Sequence, residues 1–267
     1  MIPLFHVDAF TSELFHGNPA AVCLLDSWLP DEMLQAIAFE NQCPETAFIL
    51  NGEDPSPLRW FSPKTEVPLC GHATLAAGFT QLTLAPERSR VDFTTASGLL
   101  SVERAGRHYA LDLPALPLGS PMNEPDSLLL SEALGLKTTG LFYENPRHRV
   151  CVLADESAVV GIRPDFSKLM TGNGRDVIVT APGQTHDFVS RYFAPALGIP
   201  EDPVTGSAHG LLIPYWSGRL GRPRLRAFQC SERGGELTGE VHGCRVRLEA
   251  DCRLYLRGEI ALEPPSR

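Results

Sequence analysis

Residues 59–63 read Arg-Trp-Phe-Ser-Pro, and one loop later residues 70–73 read Cys-Gly-His-Ala at the start of an apolar stretch. The same order returns further along the chain, as Arg-Tyr-Phe-Ala-Pro at 191–195 and Gly-Ser-Ala-His at 206–209. In each copy an aromatic strand ends at a proline, and a loop leads to a turn of small residues that opens an apolar helix. The pattern predicts two halves that repeat one structural unit.

The segments around the repeat predict a mixture of strands and helices in both halves. In the first half, alternating apolar residues predict strands and 3.6-residue spacing predicts helices. The predicted strands are 2–10, 20–25, 45–50, 58–61 and three between 91 and 113, and the predicted helices are 30–38 and 71–82. The second half predicts a helix at 126–134 and strands at 149–153, 177–180 and between 245 and 262. The chain is therefore expected to have a mixed α/β (α+β) fold.

A proline-rich stretch, Leu-Pro-Ala-Leu-Pro-Leu-Gly-Ser-Pro at 113–121, separates the halves. Proline removes backbone donors, so the stretch can propagate neither a ladder nor a helix. We expect an N-terminal domain over residues 1–116 and a C-terminal domain over 117–267, with the last strand free to return to the first domain.

Composition narrows the class of protein. The chain has 267 residues, 43% of them hydrophobic and 21% charged, with a formal net charge of −9. The basic clusters, such as Arg-Pro-Arg-Leu-Arg at 222–226, are short, which argues against a nucleic-acid partner. No basic-then-apolar leader opens the chain and no apolar run approaches a membrane span, so we expect a cytoplasmic protein that does not bind membranes. Seven cysteines without a C-x-x-C pair suit neither a disulfide framework nor a zinc site, and most are expected to be reduced core residues.

The two small-residue turns suggest a binding site. A helix start leaves backbone N–H groups unpaired, with the positive end of the helix dipole behind them, and such a start binds anions. Two such turns facing one another would clamp a small carboxylate-bearing substrate. The alternative is that the small residues only allow the helix and strand to pack closely.

Glu45 is the candidate acid or base. It follows Pro44 and opens the apolar strand 46–50, where partial desolvation would make a carboxylate a better base. His72, just inside the first helix, could donate to a substrate oxygen or shuttle a proton, and Asp202 lies in the loop before the second helix. The alternatives are a solvated surface glutamate, a structural histidine and a turn-forming aspartate.

Familiar cofactor and nucleophile patterns are missing from the sequence. His72 and His209 are far apart, and no H-x-x-x-H or H-E-x-x-H spacing joins two histidines on a helix. No dinucleotide or P-loop glycine pattern and no G-x-S-x-G elbow occurs. We therefore expect neither a metal nor an organic cofactor.

Five segments together resemble the PhzF (phenazine biosynthesis-like) family, and the last is the most specific of them. They are residues 7–11 (VDAFT), 17–22 (GNPAAV), 45–48 (ETAF), 70–74 (CGHAT) and 201–209 (EDPVTGSAH). The resemblance implies the diaminopimelate-epimerase-like fold, in which two pseudo-symmetric domains, each a curled mixed sheet around a central helix, have the active site between them.

The resemblance also implies roles for individual residues. Glu45 matches the catalytic glutamate and His72 the motif histidine, while Asp202 and Ser207 match the acidic and hydroxyl residues of the opposite wall. The residues implied to bind substrate are Asn18, Cys70, Gly71 and Gly206. The implied activity is a proton shift on an amino or unsaturated acid in a biosynthetic homodimer, without metal or organic cofactor.

Two departures from related proteins bear on mechanism. Thiol epimerases and racemases of similar fold use a cysteine on each wall, whereas here Cys70 is matched with Gly206 and Ser207, and a serine hydroxyl is too weak an acid to replace a thiol unaided. Residues 231–237 (SERGGEL) stand where the family commonly has Arg-Pro-Gly, which bears on substrate selection. A small-acid-binding protein without turnover, a thiol-based epimerase or racemase using Cys70, and a metal-dependent lyase remain the alternatives.

Overall fold

The fold was analysed in a computed structural model, which describes residues 1–137, 140–171 and 174–262. The chain divides into two compact units. The first runs from Met1 to Leu113 and takes in the chain from Leu248 onward, and the second runs from Pro114 to Arg247. The last strand belongs to the first unit because it pairs antiparallel with the strand that opens the chain.

The first unit is a mixed sheet wrapped around one helix. Its elements are β1 (Ile2–Ala9), β2 (Asn18–Leu25), α1 (Asp31–Asn41), β3 (Glu45–Leu50), β4 (Ser56–Phe61), β5 (Glu66–Val67), α2 (Gly71–Leu84), β6 (Arg90–Thr95), β7 (Gly98–Ala105), β8 (His108–Pro114) and β18 (Cys252–Ile260). The helix α2 contacts β1, β2, β3, β6 and β7, so it fills the inside of the curled sheet. Gly78 lets α2 approach β7, because a Cβ atom there would lie 2.3 Å from the side chain of Val102.

The second unit is a mixed sheet with helices on both faces. Its elements are β9 (Ser120–Pro121), α3 (Glu124–Ala133), β10 (Leu141–Glu144), β11 (His148–Val152), α4 (Glu156–Val160), α5 (Phe166–Met170), β12 (Asp176–Pro182), β13 (Phe188–Ala194), a 3₁₀ turn (Pro195–Leu197), β14 (Ile199–Asp202), α6 (Gly206–Leu220), β15 (Arg224–Gln229) and β16 (Gly235–His242). The strand β17 (Arg245–Ala250) begins in the second unit and ends in the first, which resumes at Leu248. The helices α3, α4 and α5 cover one face through an apolar core that includes Leu130, Val159 and Leu169. On the other face Trp216 of α6 donates to Thr180 Oγ1 at 2.9 Å.

The helix α6 tolerates an internal proline because a neighbouring segment supplies the missing hydrogen bond. Pro214 has no N–H, so the carbonyl of Gly210 lacks its partner within the helix. The backbone N–H of Leu116 donates to that carbonyl at 3.0 Å. The proline-rich stretch after Leu113 is thereby tied to α6.

Both units use the same order of strand pairings. In the first unit β1 is antiparallel to β2, β2 parallel to β3, β3 antiparallel to β4, and β4 is parallel to β6, which is antiparallel to β7. In the second unit β10, β11, β12, β13, β15 and β16 repeat these five relations in the same order. The predicted architecture, two similar mixed sheets each with a central helix, is confirmed.

The predicted elements differ from the observed ones mainly at their ends. The strand β3 has the predicted bounds, while α1 and α2 run two or three residues beyond the predicted 38 and 82. None of the seven cysteines forms a disulfide, and Cys230 and Cys244 are not buried. Among the described residues, no helix is both long and apolar enough to cross a membrane.

Candidate functional site

Five of the eight predicted site residues meet in the first unit, at the amino end of α2. Asn18 begins β2, Glu45 begins the parallel neighbour β3, and Gly71 and His72 begin α2 directly after Cys70. All five residues are buried. The sheet and the helix therefore bring together side chains that are up to 54 positions apart in the chain.

A chain of hydrogen bonds runs from Asn18 through His72 to Glu45. The Asn18 amide nitrogen lies 3.1 Å from His72 Nδ1, and His72 Nε2 lies 3.2 Å from Glu45 Oε2. An amide N–H can only donate, so Nδ1 is the accepting nitrogen and the ring proton is on Nε2, pointing at the carboxylate. Burial lowers the pKa of His72 to about 3. His72 is therefore a neutral donor, held in one tautomer, that orients Glu45.

The start of α2 is free of a side-chain cap. Cys70 occupies the N-cap position in an extended conformation (φ −141°, ψ 112°) and its side chain makes no capping hydrogen bond. Its sulfur lies 3.5 Å from His72 Nδ1. The first-turn N–H groups that a Ser or Asp cap would normally satisfy are left to other partners, a property of helix starts that bind anions.

The other three predicted residues lie together in the second unit, at the start of α6. Asp202 ends β14, and Gly206 and Ser207 are the first residues of α6. The N-cap is Thr205, again extended (φ −109°, ψ 101°) and without a capping side-chain bond. The Thr205 hydroxyl donates instead to Asp202 Oδ2. The two units thus present the same kind of uncapped helix start.

This geometry corrects the comparison of Cys70 with Gly206 and Ser207. Cys70 and Thr205 are the equivalent residues, because each is the extended N-cap that precedes the first glycine of its helix. The second thiol position is therefore occupied by a threonine whose hydroxyl is engaged by Asp202. A hydroxyl is a much weaker acid than a thiol, which argues against a two-thiol mechanism.

Sequence reasoning missed an arginine clamp that occurs in both units. In the first, Arg59 binds the carboxylate of Glu66 with two bonds of 2.7 Å and lies over the ring of Phe61. In the second, Arg191 binds Glu201 with bonds of 2.7 and 2.8 Å and lies over the ring of Phe193. Each clamp fixes the segment that leads to an uncapped helix start.

A hydrogen bond from a serine hydroxyl to a proline carbonyl, here called the serine latch, also occurs in both units. The Ser97 hydroxyl donates to the carbonyl of Pro68 at 2.6 Å, and the Ser231 hydroxyl donates to the carbonyl of Pro203 at 2.7 Å. Both prolines lie two residues after the clamped glutamate, so the signal was present in the sequence as Glu-x-Pro at 66–68 and 201–203. The serines had no such signal, because they lie in the β6–β7 and β15–β16 loops, 29 and 28 positions away along the chain.

Three donor atoms of the first group could approach a metal ion. The ligand atoms of Glu45, Cys70 and His72 lie within 4.8 Å of one another. Both His72 ring nitrogens are already used, one as acceptor from Asn18 and one as donor to Glu45. Coordination would require His72 to give up one of these bonds, so the arrangement fits a carboxylate acid or base better than a metal ligand set.

The two mixed sheets with their central helices form the epimerase-like α/β fold. A probable proline racemase from Agrobacterium radiobacter, only 11% identical, shares this fold with a TM-score of 0.64 over 99% of this chain and 94% of that chain. The PhzC-PhzF family model, described as phenazine biosynthesis-like protein, matches residues 7–263. The chain belongs to this family.

Individual members of the family resemble the whole chain. An uncharacterized isomerase of Pseudomonas aeruginosa is 46% identical over 262 residues, covering 98% of this chain and 99% of that protein. The crystal structure of a PhzF-family phenazine biosynthesis protein from Enterococcus faecalis matches with a TM-score of 0.90 and 43% identity, over 98% of this chain and 99% of that chain. The similarity therefore spans both units.

Proposed function

We propose that the protein is a cofactor-independent isomerase that shifts a proton on a small carboxylate-bearing acid, either an amino acid or an unsaturated acid. The observation that carries the proposal is the buried Glu45 carboxylate, held by the neutral donor His72 that Asn18 fixes in one tautomer. A carboxylate in such a place can take a proton from carbon and return it. The similarity to an uncharacterized isomerase supports the reaction class.

The remaining predicted residues would bind and orient the substrate. The N–H groups at Gly71, Gly206 and Ser207 stand at uncapped helix starts, where a carboxylate is favoured by both hydrogen bonding and the helix dipole. Asp202 would accept from an amino or hydroxyl group of the substrate. One carboxyl that removes and returns the proton favours a shift along one face over inversion, which ordinarily needs a second acid.

A thiol base is the second candidate, and one contact favours it. Cys70 Sγ lies 3.5 Å from His72 Nδ1, and a histidine beside a cysteine can activate the thiol. The argument against a thiol base is that Thr205 occupies the position where a second thiol would be expected. The two candidates differ in which substitution stops the reaction.

The experiment begins with a thermal-shift screen of small amino and unsaturated acids, because a ligand of the native state raises its apparent stability. A binding acid is then incubated in heavy water with wild-type protein and with Glu45→Gln, Cys70→Ala and the exposed control Glu13→Gln. We expect Glu45→Gln to lose at least about 100-fold in product formation and deuterium incorporation, with binding retained because the amide keeps the shape.

The other outcomes decide between the alternatives. Cys70→Ala and Glu13→Gln should remain active. An inactive Cys70→Ala beside an active Glu45→Gln would make the thiol the base and overturn the proposal. Tight binding of an acid by the wild-type protein with neither product nor deuterium exchange would identify a binding protein of the same fold.

A further inference from the structure

A cavity of about 360 Å³ lies in the second unit, away from the start of α6. It is formed by α3, α5 and the adjoining ends of β10, β11 and β12, and none of the predicted site residues lines it. Its volume falls in the range of small-molecule sites, roughly 300 to 1,000 Å³. Met122 and Leu129 give it an apolar wall, and Arg149 is its most buried lining residue.

Arg149 carries a charge that the protein leaves unbalanced at close range. The residue is 8% exposed, and its Nη2 donates to the carbonyls of Leu169 at 3.0 Å and Arg175 at 3.3 Å. These bonds hold the guanidinium in place. Over residues 1–137, 140–171 and 174–262, Arg149 forms no ion pair with a carboxylate, and its Nε has no hydrogen-bond partner.

The energetics of this arrangement favour an anionic ligand. Burial, reinforced by the charge of Arg175, lowers the pKa of Arg149, and the carboxylates of Asp126, Asp176 and Glu144, none of them at ion-pair distance among the described residues, offset this only in part. A buried cation without a partner costs several kcal/mol unless an anion or a full set of hydrogen bonds offsets it. Carbonyl oxygens supply only partial negative charge.

The acids around the cavity are engaged elsewhere. Glu132 pairs with Lys168, Glu144 pairs with Arg175, and Asp126 Oδ2 accepts from the Asn123 amide at 2.8 Å. Each of the other two lining cations thus has its own carboxylate. Arg149 is the lining cation that would gain most from a ligand.

We infer that this cavity binds a small oxyanion, a carboxylate or phosphate group, which accepts from Arg149 while any apolar part of the ligand packs on Met122 and Leu129. The site is separate from the helix starts and does not depend on the proposed isomerase activity. Arginine suits the role because its planar fork binds carboxylate and phosphate oxygens in pairs.

The test is calorimetric titration of the full chain with inorganic phosphate, acetate and butyrate at constant ionic strength. The variants are Arg149→Met, which removes the charge, Arg149→Lys, which keeps it without the fork, and the exposed control Arg147→Gln. We expect Arg149→Met to weaken binding of the preferred anion by at least about tenfold, as the loss of a charged hydrogen bond implies. Arg147→Gln should bind it as wild type does.

The anions separate the possible ligand sources. Tighter binding of butyrate than acetate would assign an organic acid that uses the apolar wall, and preference for phosphate would assign a phosphate group. Absence of binding by the wild type, or equal binding by Arg149→Met, would overturn the inference. If Arg149→Met does not fold, crystals soaked in selenate provide the readout: an anomalous peak beside Arg149 is expected, and peaks only elsewhere would overturn it.

Discussion

Gln229 holds the backbone of the segment that leads into the uncapped start of α6. It is fully buried, its Oε1 accepts from the backbone N–H of Thr205 at 2.9 Å, and its Nε2 donates to the carbonyl of Asp202 at 2.7 Å. Nε2 also lies 3.3 Å from Thr205 Oγ1. One amide from β15 therefore fixes Asp202 and leaves the following N–H groups of α6 for a ligand.

Gln229→Leu is expected to destabilise the protein by about 2 to 4 kcal/mol, because it keeps the volume but leaves a buried N–H and a buried carbonyl without partners. The matched control is Gln81→Leu, since Gln81 is only partly buried and its side-chain hydrogen bond to Ser56 Oγ is 3.4 Å long. Urea unfolding measures both. Hydrogen exchange at Thr205 should accelerate only in Gln229→Leu, and equal losses of stability in the two variants would show that the Gln229 hydrogen bonds contribute nothing.

Some features of the candidate site could be predicted from the sequence and others could not. Glu45, His72 and Asp202 were predictable because they stand in short motifs beside recognisable strand and helix starts. The hydrogen bond from Asn18 to His72 joins residues 54 positions apart, and the bond between Thr205 and Gln229 joins residues 24 positions apart. Such contacts depend on how strands pair, which local periodicity does not specify.

At the scale of elements, the compact apolar strand β3 was predicted and β15, in which arginines alternate with apolar residues, was missed. The strand β3 is a compact apolar run and its bounds were predicted correctly. The segment 222–226 looked like a short basic cluster, yet Arg224 lies in β15 and pairs across the sheet with Glu240 of β16 at 2.9 Å. The alternation of arginine with buried Leu225 becomes a strand signal only once β16 supplies the opposing charge.

The duplicated clamps should differ in strength because they differ in burial. The side chains of Arg191 and Glu201 are 11% and 21% exposed, whereas those of Arg59 and Glu66 are 26% and 41% exposed. Removing one partner of a buried pair costs about 3 to 5 kcal/mol, whereas surface pairs are worth about 0.2 to 1 kcal/mol. The clamp before α6 should therefore be the stronger structural element.

We expect Glu201→Gln to lower the free energy of unfolding by about 2 to 3 kcal/mol, between these limits, and Glu66→Gln to lower it by no more than about 1 kcal/mol. Denaturant unfolding of both variants in low and high salt measures the two losses of stability. The smaller loss, that of Glu66→Gln, should depend more strongly on salt because its ion pair is more exposed. Equal losses would mean that burial does not control the strength of the two clamps.

At the scale of the whole molecule, the fold buries three neutral histidines. His72, His148 and His209 are each at most 4% exposed. Burial lowers the pKa of His148 to about 4, with the charge of Arg147 adding to the effect, and lowers that of His209 to about 4, while the pKa of His72 falls to about 3. In the unfolded chain each would titrate near 6.5.

These histidines should make the protein acid-labile in a defined window. Between the unfolded pKa of about 6.5 and the folded value of about 4, the unfolded state binds more protons, so stability must fall as the pH falls. The loss begins as the pH drops through about 6.5 and for His148 is complete near pH 4, where it amounts to about 3 kcal/mol. The free energy of unfolding of His148→Leu should therefore lie furthest below that of the wild type at pH 7. The difference between the two should shrink as the pH is lowered to 4, because only the wild type loses the contribution of His148. The control His16→Gln, at an exposed histidine, should follow the wild-type curve. Denaturant unfolding at half-unit pH steps tests this, and a constant difference between His148→Leu and wild type across the window would show that His148 is not buried in the neutral form.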